Sequence, residues 1–182
     1  MKMKSITVFC GSAENCPEKY LAAAEKLGGV IARQGRRLIY GSGQCGLMGR
    51  VAKGAKEAGG VITGINVKRF ASYLPYPGTD EFIMADTLPE RKAALIQRGD
   101  ALIALPGGVG TLDELMEAYA LIQAGIIEKP LGLLNVDHYF DDFLAMMRRA
   151  LEDRFVSEKD FRRLLLSDDP EDLLARLDAF QA

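Results

Sequence analysis

Along this chain, short apolar runs rich in branched residues alternate with longer stretches of helical spacing, and few architectures accept that rhythm. The runs are Ser5 to Cys10, Arg36 to Tyr40, Val61 to Ile65, Glu81 to Ala85, Ala101 to Pro106 and Pro130 to Val136. Helical patterns lie at 17–34, 46–59, 88–98, 111–124 and 139–153, followed by a helical pair near 158–163 and 170–180. Several runs are apolar at consecutive positions, as strands covered by helices on both faces must be. The alternation predicts right-handed βαβ units and an α/β, Rossmann-like doubly wound parallel sheet flanked by helices. With 182 residues and no linker-like stretch, the expectation is one nucleotide-binding domain over 1–182, the helices from about 158 packing on it.

Boundary signals agree with this reading. Pro17 suits a first helical turn, and Thr87 to Glu90 and Ser157 to Asp160 have capping-box spacing. The stretch from Asn66 to Asp80 carries Pro75, Pro77 and Gly78 without a clear period, so it reads as a long irregular connection.

Charge and cysteine usage exclude several classes. The net charge is −2, with 23 Lys and Arg spread along the chain, so no basic footprint for nucleic acid is present. No apolar run approaches the roughly 18 residues of a membrane span, and the initial stretch ITVFC is too short for a signal-peptide core. The expectation is a soluble cytoplasmic protein with no membrane partner. Cys10, Cys16 and Cys45 match no zinc spacing and read as reduced thiols, so no metal is expected.

In an open parallel sheet, ligands bind beyond the carboxyl ends of the strands, where helix N-termini present free N–H groups. Three such ends carry glycine here: Cys10 to Ser12, Tyr40 to Gly49, and Leu105 to Glu114. Gly41, Gly43 and Gly46 have G-x-G-x-x-G spacing. A dinucleotide site, however, wants an acidic residue at the end of the next strand, and Ile65 and Asn66 stand there. The plain alternative is a tight turn with close helix–strand packing. In the third loop Gly107, Gly108 and Gly110 allow close backbone approach and Thr111 offers a hydroxyl, which suits one phosphate; there is no Walker lysine. Thr111 to Glu114 is also capping-box spacing. Arg91 falls in a first helical turn, where the helix dipole disfavours a cation, and this points to an anionic partner. Lys92 could form a Schiff base with pyridoxal phosphate, but no other feature of such a site accompanies it. His138, the single histidine, is given no catalytic role.

Together, GSGQCGLMG, the ERK at Glu90 to Lys92, PGGVGTLDE and the stretch from Gly125 to Asp137 resemble the LONELY GUY (LOG) family. These are cytokinin riboside 5′-monophosphate phosphoribohydrolases and bacterial relatives long labelled lysine decarboxylases. The resemblance implies a Rossmann-like fold, a homodimer or larger homo-oligomer, and no cofactor. It also implies hydrolysis of the N-glycosidic bond of AMP or N6-prenyl-AMP to free base and ribose 5-phosphate. Arg91 and Glu114 are then catalytic, and Ser12, Gly43, Lys92, Gly107, Gly108, Gly110 and Thr111 bind substrate. The chain departs from the common pattern at Ser42, at Leu88 and Pro89, and at Asn66, Leu121 and Ala124. A carrier of the same fold that binds a nucleotide or cofactor without cleaving it is the alternative; retention of both Arg91 and Glu114 favours the enzyme.

Overall fold

The computed structural model describes residues 3–70, 72 and 74–180. Within them the chain runs β1 (Ser5–Phe9), α1 (Glu18–Arg33), β2 (Arg37–Tyr40), α2 (Gly46–Glu57), β3 (Ile62–Val67), β4 (Glu81–Ala85), α3 (Leu88–Arg98) and β5 (Ala101–Ala104). It continues with α4 (Val109–Gln123), β6 (Leu131–Leu134), α5 (Asp141–Glu152), α6 (Glu158–Phe161), β7 (Leu164–Ser167) and α7 (Pro170–Ala179). Among the described residues seven strands form one sheet in the order β4-β3-β2-β1-β5-β6-β7, and every adjacent pair is parallel.

Strand order reverses direction beside β1. The chain leaves β1 toward β2, β3 and β4, then crosses back through α3 to place β5 on the other flank of β1. The loops after β1 and β5 therefore part at a topological switch point, where an open α/β sheet forms its binding crevice. Register puts Val8 level with Tyr40 on one side and Ile103 on the other.

Side-chain alternation divides the core in two. Ile6, Val8, Leu38, Tyr40 and Ile103 face one layer with α1, α2 and α7, while Phe9, Ile39, Leu102 and Ala104 face the other with α3, α4 and α5. Burying each such aliphatic side chain is worth roughly 1.5–3 kcal/mol, which fixes strand register against a one-residue slip.

The first layer is unusually tight at α1 and α2. A Cβ built on Gly28 would lie 2.0 Å from the Val51 carbonyl oxygen, and one on Gly54 would lie 2.0 Å from that of Glu25. The two helices thus touch backbone to backbone, and only glycine permits it. In the second layer α3 is fastened at both ends. The Thr87 hydroxyl accepts from the Glu90 N–H at 3.3 Å, and the Lys129 ammonium donates to the carbonyls of Ile96, Gln97 and Gly99 at 2.7–2.8 Å.

Several expectations change. Leu164–Ser167, between the two C-terminal helices, forms an edge strand on β6, so the sheet has a seventh strand that the apolar runs did not predict. The irregular connection begins later than Asn66, because β3 extends to Val67 and a single 3-10 turn follows at Lys68–Phe70. Residues 71 and 73 of that connection lie outside the described residues, as do 1, 2, 181 and 182 of the expected 1–182 domain. Helix α4 starts at Val109 rather than 111.

Candidate active site

The mouth at the switch point is built from three strand-end loops that lean on one another. The Gly11 N–H donates to the Pro106 carbonyl at 3.1 Å, and the Met48 N–H donates to the Gly11 carbonyl at 3.2 Å. Gly46 has φ +57, and a Cβ there would lie 2.6 Å from the Ala13 carbonyl oxygen, so the second loop can seat against the first only as glycine. Gly43 packs on Met48 and Gly41 on Arg91. In this second loop glycine meets the close-packing requirement of the plain reading.

The third loop differs. Gly107 is required, since a Cβ would lie 2.1 Å from the Thr111 hydroxyl. At Gly108 and Gly110 a Cβ would meet nothing within 4 Å. The fold itself gives no reason for these two glycines, whereas an anion approaching the free N–H groups of α4 does. The α4 N-cap is Gly108, with no side-chain cap, so Thr111 is the third residue of the helix rather than its cap and is buried. That removes the capping-box reading of Thr111 and Glu114.

Behind this mouth lies a buried ion pair. Arg91 is 9% exposed and Glu114 6%. The Arg91 Nη1 donates to Glu114 Oε1 at 2.7 Å, its Nη2 to the Gly41 carbonyl at 3.2 Å, and its Nε to the Ile65 carbonyl at 3.0 Å. One guanidinium thereby gathers the ends of β2 and β3 and the second turn of α4, satisfying donors that would otherwise cost several kcal/mol to bury. The anionic partner that the placement of Arg91 called for is this carboxylate. Burial pushes the Glu114 carboxyl above its ordinary value, with the Arg91 charge and hydrogen bond drawing it back down. Burial likewise raises the Cys10 thiol, which senses both members of the pair.

The remaining site residues divide. Ser12 is exposed on the first loop, and Gly43 is half-buried on the second. Lys92 faces α4, where its ammonium bonds Asp113 at 3.0 Å and Glu117 at 2.5 Å. Two carboxylates thus already hold the lysine expected to bind substrate. Two features were not anticipated. Ser42 is fully buried at φ +65, and its hydroxyl has no hydrogen-bond partner among the described residues. Tyr139 bonds the Gly107 carbonyl. The left-handed position at 42 is one of the departures from the family pattern noted above, and a left-handed backbone favours glycine, so the signal was already present in the motif.

A family model described as "possible lysine decarboxylase" matches residues 48–177. The probable cytokinin riboside 5′-monophosphate phosphoribohydrolase LOGL6 of Oryza sativa subsp. japonica is 38% identical, over 98% of this chain and 72% of its own length. The cytokinin riboside 5′-monophosphate phosphoribohydrolase LOG5 of Arabidopsis thaliana is 37% identical, over 99% of this chain and 79% of its own. The chain belongs to the LOG family. Among solved structures, this LOG-family chain is similar to the molybdenum cofactor binding protein of Rippkaea orientalis. That match has 25% identity and a TM-score of 0.75, and covers 98% of both chains. The molybdenum cofactor carrier protein of Chlamydomonas reinhardtii shares the fold at 24% identity, with a TM-score of 0.72 over 96% of both chains. No helix of the described residues is long and apolar enough to cross a membrane.

Proposed function

We propose that this chain hydrolyses the N-glycosidic bond of an AMP-like nucleoside 5′-monophosphate, N6-substituted forms included, releasing free base and ribose 5-phosphate. The observation that carries this reading is the buried Arg91–Glu114 pair set directly behind a glycine mouth whose Gly108 and Gly110 answer to no packing demand. In the proposed mechanism the N–H groups at the start of α4, with Thr111 and Ser12, grip the phosphate. Water adds to C1′ as the bond from C1′ to the base nitrogen breaks; the base leaves with that electron pair and takes up a proton, and the water's proton is released. Glu114 stabilises the oxocarbenium-like transition state and orients the ribose hydroxyls or the water. Arg91 aims Glu114 and offsets charge developing toward the base. These steps draw on no metal or cofactor.

The carrier reading leans on 25% identity to a cofactor-binding protein, against 38% to a named hydrolase. The test is incubation with AMP and isopentenyl-AMP followed by chromatography for free base. Glu114→Gln should lower turnover about 10²–10³-fold while the protein still folds, and Arg91→Ala should lose most activity. Because the Glu114 carboxyl is raised and acts ionised, activity should fall on the acid side at a pH above the ordinary glutamate value of about 4.3. Unchanged turnover in both variants would overturn the assignment.

We also propose a cytoplasmic homodimer or larger homo-oligomer. Val109, Leu112 and Met116 form one stripe along the outer face of α4, exposed by 84%, 37% and 38%. A helix apolar on both faces is ordinarily covered on both. Light scattering on the purified protein checks the mass.

A further inference from the structure

One side chain reaches the phosphate loop from a different strand end. Tyr139 follows β6, and its hydroxyl donates to the Gly107 carbonyl at 2.5 Å. The preceding carbonyl, of Pro106, accepts from the Gly11 N–H. In a trans peptide the carbonyl and the next N–H point to opposite sides. Tying the Gly107 carbonyl to Tyr139 therefore fixes the direction of the Gly108 N–H, away from the tyrosine.

The turn that presents Tyr139 is held against its own preference. Asp137 and His138 both adopt left-handed backbone, at φ +49 and +62, a cost of roughly 1–2 kcal/mol each for residues with a Cβ. Such strain survives only where the surroundings over-determine it. Here Asn135 does so, with its N–H donating to the Ser167 carbonyl at 2.8 Å. Its side chain accepts from the Phe140 N–H at 2.7 Å and donates to Asp141 at 2.8 Å. Asp137 is also paired with Lys19. The Tyr139 ring stands edge-on to Tyr20 at 5.5 Å and to Phe140 at 5.2 Å, which pins the hydroxyl over the loop.

We infer that Tyr139 is a positioning residue for the 5′-phosphate, presetting the Gly107–Gly108 peptide so that its N–H faces the anion before substrate arrives. This rests on the nucleotide reading above. Tyr139→Phe removes the hydroxyl and keeps the ring packing. Calorimetry of the purified protein with AMP and with adenosine, alongside AMP kinetics, tests it. AMP binding should weaken about three- to tenfold, the worth of one hydrogen bond, with adenosine binding unchanged and the protein still folded, its melting point lowered by no more than the loss of one exposed hydrogen bond. KM for AMP should rise by the same factor at constant kcat. Inorganic phosphate should lose the same factor as a competitor, a readout independent of turnover. Equal weakening of AMP and adenosine, or a preference for AMP that Tyr139→Phe keeps in full, would overturn the inference alone. Wild-type protein binding AMP no tighter than adenosine would overturn the nucleotide reading and this inference with it.

Discussion

Glycine does opposite work in two places in this chain. Where α1 meets α2, Gly28 and Gly54 sit 2.0 Å, measured from an imagined Cβ, from the carbonyl oxygens of Val51 and Glu25. There the fold forbids any other residue. At the head of α4, Gly108 and Gly110 have open space beside them and ordinary backbone angles, so the fold would accept alanine at either. The difference separates glycines that packing requires from glycines that packing does not require. Motif spacing cannot make that separation, because it treats both kinds alike.

Substitutions can break or sharpen the contrast. The largest effect is expected at the helix junction. Gly28→Ala must push α1 and α2 apart, costing at least the 1–3 kcal/mol typical of overpacking, read as a lowered midpoint in urea; activity per folded molecule should stay near wild type. Gly110→Ala should do the reverse. It gains roughly 0.5–1 kcal/mol from helix propensity yet weakens AMP binding about tenfold, as titration calorimetry would register. A stable variant with unchanged affinity would end the distinction. Ser42 tests an intermediate case, since a left-handed, unpartnered serine occupies a glycine-like position. Ser42→Gly should raise stability by about 1 kcal/mol, strain relief outweighing the small void against Gly64, as thermal melting would show.

Much of this architecture was legible beforehand, because doubly covered strands are written as unbroken apolar runs and helices as periodic ones. Six strands and the main helices fall where those patterns put them. Leu164–Ser167 escaped because three leucines and a serine between helical patterns carry no period of their own; β6 supplies the pairing that makes them a strand. The start of α4 moved because its cap is a glycine backbone rather than the Thr111 side chain. Of the site, the two charged residues were named through family resemblance. Their 2.7 Å contact, and the diversion of Lys92 to Asp113 and Glu117, depend on how α3 lies across α4, and no local pattern encodes an interhelical distance.

The three carbonyls gathered by Lys129 carry a practical consequence. They close the far end of the helix that bears Arg91, seven residues and about 10 Å along the axis from it. Neutralising that amine by mutation would leave three carbonyls of the terminus without their shared donor and loosen the helix that carries Arg91. A mutational survey scored on turnover would then flag Lys129 among the residues that touch substrate, although no ligand atom in the crevice need come near it.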